Sequence, residues 1–279
     1  VKIVTVCCMR NEEGKIPTIL ESLYDQTIRP EKIVIVDDGS TDNSLQVLKV
    51  YQKKFENWID IIHRKDRIGG PNLAGTPELA ITFNKAFEHI EHAQYEYDYL
   101  MVSGADDEYP CGYIEELIKR MKHDESIVVA SGRNSLYKIY SKTSPRGAGR
   151  LIKRHWWIEY GQRYAFPSFY WETKCLMVAQ MKGYRTVAFG DIEFTTRSQG
   201  TSYGHYRYGV MHRSIKYRWQ SVIRYIARLL LRFDVKGAFN YIKGFIKKPE
   251  RIIEEDRKLS EDFNKWLKKR RTKWYVNGV

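Results

Sequence analysis

Ile33-Val34-Ile35-Val36-Asp37-Asp38-Gly39-Ser40-Thr41-Asp42 is the stretch from which the rest of the chain is read. A run of β-branched residues predicts a strand, and it ends abruptly in two carboxylates and a glycine. Leu45, Leu48, Tyr51 and Phe55 then return at helical spacing, so the strand passes straight into an amphipathic helix that Thr41 or Asp42 is placed to cap. One carboxylate suffices for a cap. A second one after an apolar strand puts charge at a sheet edge, where it can accept hydrogen bonds from a nucleobase imide or a ribose hydroxyl.

The same alternation extends to both sides. Lys2 to Cys8 reads as a strand, and Lys15 to Gln26 as a helix with Ile16, Ile19, Leu20 and Leu23 on one face. Ile59 to His63 gives a third strand, Leu79 to Ile90 a third helix and Tyr99 to Ser103 a fourth strand. Strands alternating with helices imply βαβ crossovers, hence an α/β fold with a mainly parallel sheet and helices on both faces. Ligands in such folds bind beyond the carboxyl ends of the strands. The segments expected there are Met9 to Glu13, Asp37 to Asp42, Arg64 to Asn72 and Gly104 to Pro110.

The last of these carries a second acidic cluster, Asp106-Asp107-Glu108. Carboxylate oxygens are hard ligands suited to Mg²⁺ or Mn²⁺, which proteins usually hold with one or two carboxylates plus substrate phosphates. The alternative is a solvated turn capping the helix predicted from Tyr113 to Met121. Two acidic strand ends in one sheet favour the first reading over two unrelated caps.

Val4-Thr5-Val6-Cys7-Cys8-Met9-Arg10-Asn11-Glu12-Glu13, the stretch Ile35 to Asp42, and Gly104-Ala105-Asp106-Asp107 before Pro110 together resemble the family 2 glycosyltransferases with the GT-A fold, over roughly residues 1 to 210. The resemblance implies an inverting enzyme that uses a UDP- or GDP-linked sugar donor and a hydroxyl acceptor, lipid-linked or on a growing glycan. It places Cys8, Arg10, Glu12, Asp37 and Asp38 at the nucleotide, and Asp106 with Asp107 at the metal-binding Asp-x-Asp position, Asp106 also facing the donor. Gly104 stands where many relatives have the first carboxylate. An acidic pair that precedes a Gly-Tyr-Arg turn in the family falls on Trp171-Glu172, eleven residues before Gly183, which makes Glu172 the candidate general base. Its aromatic neighbours, Phe166 to Trp171, are the apolar surroundings expected around a carboxylate that takes up a proton. The loop Ser144 to Arg150 resembles a mobile segment of relatives, and Arg146 and Arg150 are its candidate partners for the diphosphate. His205 or His212 could supply a late metal ligand, though a lone histidine is more often structural.

Charge divides the chain. Of the net +13 over 279 residues, residues 210 to 279 hold 19 Lys+Arg against 7 Asp+Glu, or +12, which leaves +1 for residues 1 to 209. A GT-A domain is therefore expected over 1–209, with a nucleotide-binding half to 115 and an acceptor half from 116, followed by a basic helical tail over 210–279. In the tail, Val222, Ile223, Ile226, Leu230 and Phe233 predict one apolar face, and Arg224, Arg228 and Arg232 a basic stripe. Phe245 to Lys248 and Lys265 to Arg271 repeat that composition. It suits an anionic membrane surface, the alternative being a helix packed on the catalytic domain with its basic face in water.

No apolar run approaches a membrane span, no signal peptide is expected, and the four cysteines form no CxxC pair, which fits a cytoplasmic protein with reduced thiols. A sugar nucleotidyltransferase would carry a glycine-rich loop after its first strand, and Cys7 to Glu13 has no glycine. A nucleic-acid-binding protein would fit the tail but not the acidic strand ends. A third rival, a glycosyltransferase fold kept only as a binding scaffold, is suggested by Gly104 and Trp171.

Overall fold

The computed structural model describes residues 1–73, 76–136, 140–196, 202–214, 219–231, 233–247 and 254–276. The chain divides into two compact units, one made of Val1–Ala74, Glu78–Phe166 and Trp171–Ser198, the other of Gly75–Pro77, Pro167–Tyr170 and Gln199–Val279.

The first unit is a sheet with helices on both faces. Its strands are β1 (Ile3–Met9), β2 (Lys32–Asp37), β3 (Ile59–His63), β4 (Tyr99–Gly104), β5 (Asp107–Glu108), β6 (Ile127–Asn134), β7 (Arg150–Lys153) and β8 (Arg185–Thr196). They are arranged in the order β3-β2-β1-β4-β7-β6-β8-β5. The first four are parallel, as the alternation predicts. Beyond β4 the sheet becomes mixed, because the short β7 runs antiparallel to both β4 and β6 while β6 and β8 are parallel. The intervening helices are α1 (Ile16–Tyr24), α2 (Ser44–Lys54), α3 (Leu79–His92), α4 (Tyr113–His123), α5 (Arg154–Tyr160) and α6 (Lys174–Met181).

Side chains alternate across a strand, so each strand feeds two cores. Ile3, Cys7, Ile33, Ile35 and Met101 pack on one face with Leu20 of α1 and Leu117 of α4. Val4, Val6, Val34, Val36, Leu100 and Val102 pack on the other with Phe83 and Phe87 of α3 and Trp156 and Trp157 of α5. Helix ends follow local chemistry. Pro17 sits in the first turn of α1, where its missing N–H costs nothing. Gly161, at φ 105°, takes the left-handed conformation that ends α5. Helix α2 departs from expectation: Asn43 is its N-cap position, and Asp42 accepts from Ser44 N at 3.0 Å.

The second unit is helical, comprising α7 (Ser202–Ser214), α8 (Trp219–Leu230), α9 (Val235–Ile246) and α10 (Glu254–Val276). Helices α7 and α9 touch through glycines: a Cβ on Gly209 would stand 2.1 Å from Tyr241 O, and one on Gly244 2.0 Å from Tyr206 O. The predicted apolar face of α8 splits in two. Val222 and Ile226 pack with Leu229 and with Ala238 and Tyr241 of α9, whereas Ile223, Leu230 and Phe233 are exposed. Arg232 and Lys248 of the predicted basic stretches lie outside the described residues. Asp256, at the start of α10, is buried and accepts from Ser168 Oγ and Phe169 N, both at 2.6 Å. No helix among the described residues is long and apolar enough to cross a membrane, and all four cysteines are free thiols.

Candidate functional site

Register brings the acidic strand ends together. Cys8 of β1 stands opposite Val36 of β2 on one side and Gly104 of β4 on the other. Asp38 and Asp106 therefore leave the same carboxyl edge two strand spacings apart, about 10 Å at the backbone. Continuing the alternation past the strand ends puts Asp37 on the face of Ile35 and Asp38 on the face of Val36 and Cys8.

That alternation gives the two neighbouring carboxylates different surroundings. Asp37 is fully buried, and both its oxygens are engaged inside the turn: Oδ1 accepts from Ser40 N at 3.0 Å and Ser40 Oγ at 2.5 Å, and Oδ2 pairs with His63 Nδ1 at 2.7 Å. Asp37 thereby anchors its own turn. Asp38 is only 3% exposed and lies among three arginines. Its Oδ1 accepts from Arg64 at 3.2 Å, from Thr82 Oγ1 at 3.1 Å and from Arg67 Nε at 3.4 Å, and its Oδ2 accepts from Arg67 at 3.2 Å and lies 3.8 Å from Arg10. Arg10 also donates to the backbone carbonyls of Asp38, Arg67 and Gly70. Gly39, at φ 75°, permits this closeness, because a Cβ there would meet Arg67 C at 2.4 Å. Glu12 pairs with Lys15 at 2.8 Å, and its backbone N–H donates to Ser44 Oγ at 2.7 Å.

The sequence reading places Arg64 and Arg67 at the ligand edge, in the segment Arg64 to Asn72, without giving them a role, and Thr82 escapes it. Position was the available signal; that both arginines turn onto Asp38 is a tertiary fact.

At the end of β4 the chain doubles back, and Asp107-Glu108 pairs with Thr195-Thr196 of β8. Asp106 is partly exposed and accepts from Thr196 Oγ1 at 3.0 Å. Asp107 is buried: its Oδ2 accepts from Gly104 N at 2.7 Å and Tyr109 OH at 2.9 Å, while its Oδ1 has no hydrogen-bond partner among the described residues. Burial pushes the Asp107 carboxyl up to about 6, with the neighbouring Asp106 charge adding to the effect. A buried orphan oxygen beside a second carboxylate is a donor set that fits a hard divalent cation, with Asp106 as the accessible ligand. Among the described residues no three His, Cys, Asp or Glu side chains converge, so Mg²⁺ or Mn²⁺ would need donor phosphates to complete its shell. Gly104 explains itself sterically: a Cβ there would lie 2.9 Å from Asp107 Oδ2 and 3.1 Å from Asp106 Oδ1. The carboxylate of Asp107 folds over this position.

Glu172 lies in the turn before α6, its side chain about a third exposed. Arg150 is completely enclosed and donates to Pro145 O at 2.8 Å, Arg146 O at 3.1 Å, Glu172 O at 3.0 Å and Glu172 Oε1 at 3.4 Å. Arg150 was expected to meet a diphosphate; burial and these four bonds tie it to the Glu172 turn instead. Arg146 is exposed on the same loop. Gly147 packs directly on the carboxylate, since a Cβ there would stand 1.8 Å from Glu172 Oε1. Of the aromatic residues expected around Glu172, Phe166 and Trp171 belong to the first unit and Pro167–Tyr170 to the second. The ring of Trp171 lies 5.8 Å from Phe83 and 5.1 Å from Tyr164.

The two candidate late ligands are both on α7. His205 pairs with Tyr225 OH at 3.0 Å and Asp234 at 3.3 Å, and His212 is buried against Tyr241 OH at 2.7 Å. Among the described residues neither belongs to a group of three or more metal-ligating side chains.

Comparison with known proteins extends the picture. The sequence model described as "Glycosyl transferase family 2" matches residues 4–193. A poly(ribitol-phosphate) beta-glucosyltransferase of Bacillus spizizenii is 44% identical over 96 residues, 34% of this chain and 15% of the relative. A cholesterol galactosyltransferase of Borreliella burgdorferi is 26% identical over 130 residues, 47% of this chain and 32% of the relative. The chain thus covers a third or less of the length of these curated relatives. Among solved structures, the mannosyltransferase PcManGT from Pyrobaculum calidifontis, in complex with GDP-Man and Mn²⁺, superposes with a TM-score of 0.60 at 14% identity, covering 87% of this chain and 70% of its own. TarS 1-349 of S. aureus in complex with UDP-GlcNAc gives 0.54 at 14% identity, covering 86% and 89%. At such identity these likenesses show the fold, the GT-A arrangement.

Proposed function

This chain belongs to glycosyl transferase family 2, and on that premise we propose that it moves a sugar from a UDP- or GDP-linked donor to a hydroxyl acceptor with inversion at the anomeric carbon. The observation that carries the reading is the exit of Asp38 and Asp106 from one sheet edge on either side of β1. The nucleotide sugars bound in the two solved neighbours support a donor of this class.

In this reading Asp38 and its arginines form the wall for the nucleoside. Three guanidiniums against Asp38 and Asp66, the second paired with Arg64, leave a net positive charge for an anionic donor. Asp106, with Asp107 behind it, would hold Mg²⁺ or Mn²⁺, and a bound ion would supply neutralisation of the leaving group's charge. Arg146 adds a second cation from its exposed loop. Glu172 accepts the acceptor hydroxyl's proton as the oxygen bonds to the anomeric carbon and the nucleoside diphosphate departs. Arg150 fixes where that carboxylate points. The acceptor is a lipid-linked hydroxyl or a growing glycan, and the protein works on the cytosolic face of a membrane, where the basic tail meets anionic lipid.

Nucleoside diphosphate release from a panel of UDP- and GDP-sugars, with Mn²⁺ or Mg²⁺, tests the proposal. Release from one donor class that is lost in Glu172→Gln supports it. No release from any donor, or full activity in Glu172→Gln, contradicts the transferase reading or the base assignment respectively.

A further inference from the structure

We infer that the hairpin of α8 and α9 is the element that docks on an anionic lipid surface, with its connecting turn leading. The inference rests on the membrane attachment proposed above and assigns it to one hairpin of the second unit, not to the whole tail. Helix α9 has two unlike apolar faces. Ala238 and Tyr241 pack inward. Val235, Phe239, Ile242 and Ile246, at spacings of four, three and four, form a second stripe that is open to solvent. A stripe that repeats at helical spacing, is exposed, and lies outside the apolar cluster formed by the described residues of its unit is a surface suited to an apolar partner.

The turn is more exposed still. Leu231 is 81% and Phe233 93% exposed. Phe233 sits at φ 58°, a left-handed conformation that glycine adopts without penalty and a bulky residue does not. Its backbone N–H closes α8 by donating to Leu230 O at 2.9 Å, so the strained position is held by the helix end. A strained phenyl ring at a solvent-facing tip contributes nothing to the core and is suited to burial at a headgroup boundary.

Charge selects the occupant. Residues 219–247 hold six Lys+Arg, at 224, 228, 232, 236, 243 and 247, against the single acid Asp234. Asp234 is already engaged: it caps α9 by accepting from Gly237 N at 2.8 Å and pairs with His205. Lys236, Lys243 and Lys247 each follow a residue of the open stripe by one position, so an ammonium row borders the apolar row. A second copy of this chain, facing the first across a two-fold axis, would set like charges against each other. An anionic bilayer meets both rows, the lysine stems lying along the apolar boundary and their ammoniums at the phosphates.

The test is co-sedimentation of the full chain with vesicles of phosphatidylglycerol and phosphatidylcholine in equal parts, and with phosphatidylcholine alone. The variants are Leu231→Ser/Phe233→Ser/Phe239→Ser and, as a comparison on α10, Lys265→Ser/Lys268→Ser/Lys269→Ser. All substituted positions are exposed, and circular dichroism checks the fold. The expected result is salt-sensitive binding to the anionic vesicles, weakened by at least about tenfold in the hairpin variant and by less in the α10 variant. Binding by the wild type that the hairpin variant retains would overturn the assignment to α8–α9 while leaving membrane attachment standing. No wild-type binding would overturn both, and a concentration-dependent dimer lost in the hairpin variant would give the face to a second copy.

Discussion

Arg150 holds Glu172 at two points, donating to its backbone carbonyl at 3.0 Å and to Oε1 at 3.4 Å. A wholly enclosed cation that donates to three carbonyls and one carboxylate fixes a loop and a candidate catalytic group at once. Arg150→Lys keeps the charge but loses the planar fork. Its kcat is expected to fall about 10- to 100-fold through misplacement of Glu172, with the donor KM nearly unchanged. A matched rise in KM, measured in steady-state kinetics, would instead put Arg150 on the donor.

Gly147 allows a cleaner displacement. Its missing Cβ leaves the space that Glu172 Oε1 occupies, and the obstructing atom is the end of a flexible side chain. Gly147→Ala is expected to move the carboxylate at little cost in stability, lowering kcat about tenfold or more with Tm within a few degrees of wild type. Unaltered turnover would show that the position of Glu172 does not matter to the reaction.

The first half of the sheet was legible because each element announces itself locally. Ile16, Ile19, Leu20 and Leu23 repeat at helical spacing and pack as α1, and Ile33 to Val36 are buried on both faces. The second half was not. β7 has only four residues, and its Arg150 and Lys153 are buried polar groups that no apolar pattern predicts. The acidic strand ends were found by position, yet the difference between Asp37 and Asp38 depends on which face each takes. The arginines that converge on Asp38 come from β1's exit and from β3's loop, contacts that no local window contains.

In the helical unit, the glycine contact of α7 with α9 is the tightest crossing. A methyl group at Gly209 or Gly244 would meet backbone carbonyls at 2.1 and 2.0 Å, which cannot rotate away. Gly209→Ala and Gly244→Ala should each destabilise this unit by about 2 kcal/mol or more. Hydrogen exchange of the α7 and α9 amides reads this directly, and protection equal to wild type would contradict the crossing.

His212 gives the same unit a pH dependence. Burial pushes its imidazole down to about 4, so it is neutral when folded and takes up a proton near its ordinary value when unfolded. Its contribution is therefore intact above about pH 6.5 and is lost progressively as pH falls toward 4, amounting to about 2 kcal/mol between pH 7 and 5. The protection factors of the α7 amides, which allow for the slower intrinsic exchange at lower pH, should fall over that interval, and the fall should disappear in His212→Phe. A pH-independent rate ratio between the two proteins would exclude His212 as its source.

The central claim is that one sheet edge holds a metal-bound nucleoside diphosphate, and calorimetric titration of UDP and GDP, with and without Mn²⁺, tests it most directly. Wild type should bind one of them more tightly with Mn²⁺, and Asp106→Ala should lose that increment while keeping the metal-independent remainder. An Mn²⁺ increment that survives Asp106→Ala undiminished would contradict the account.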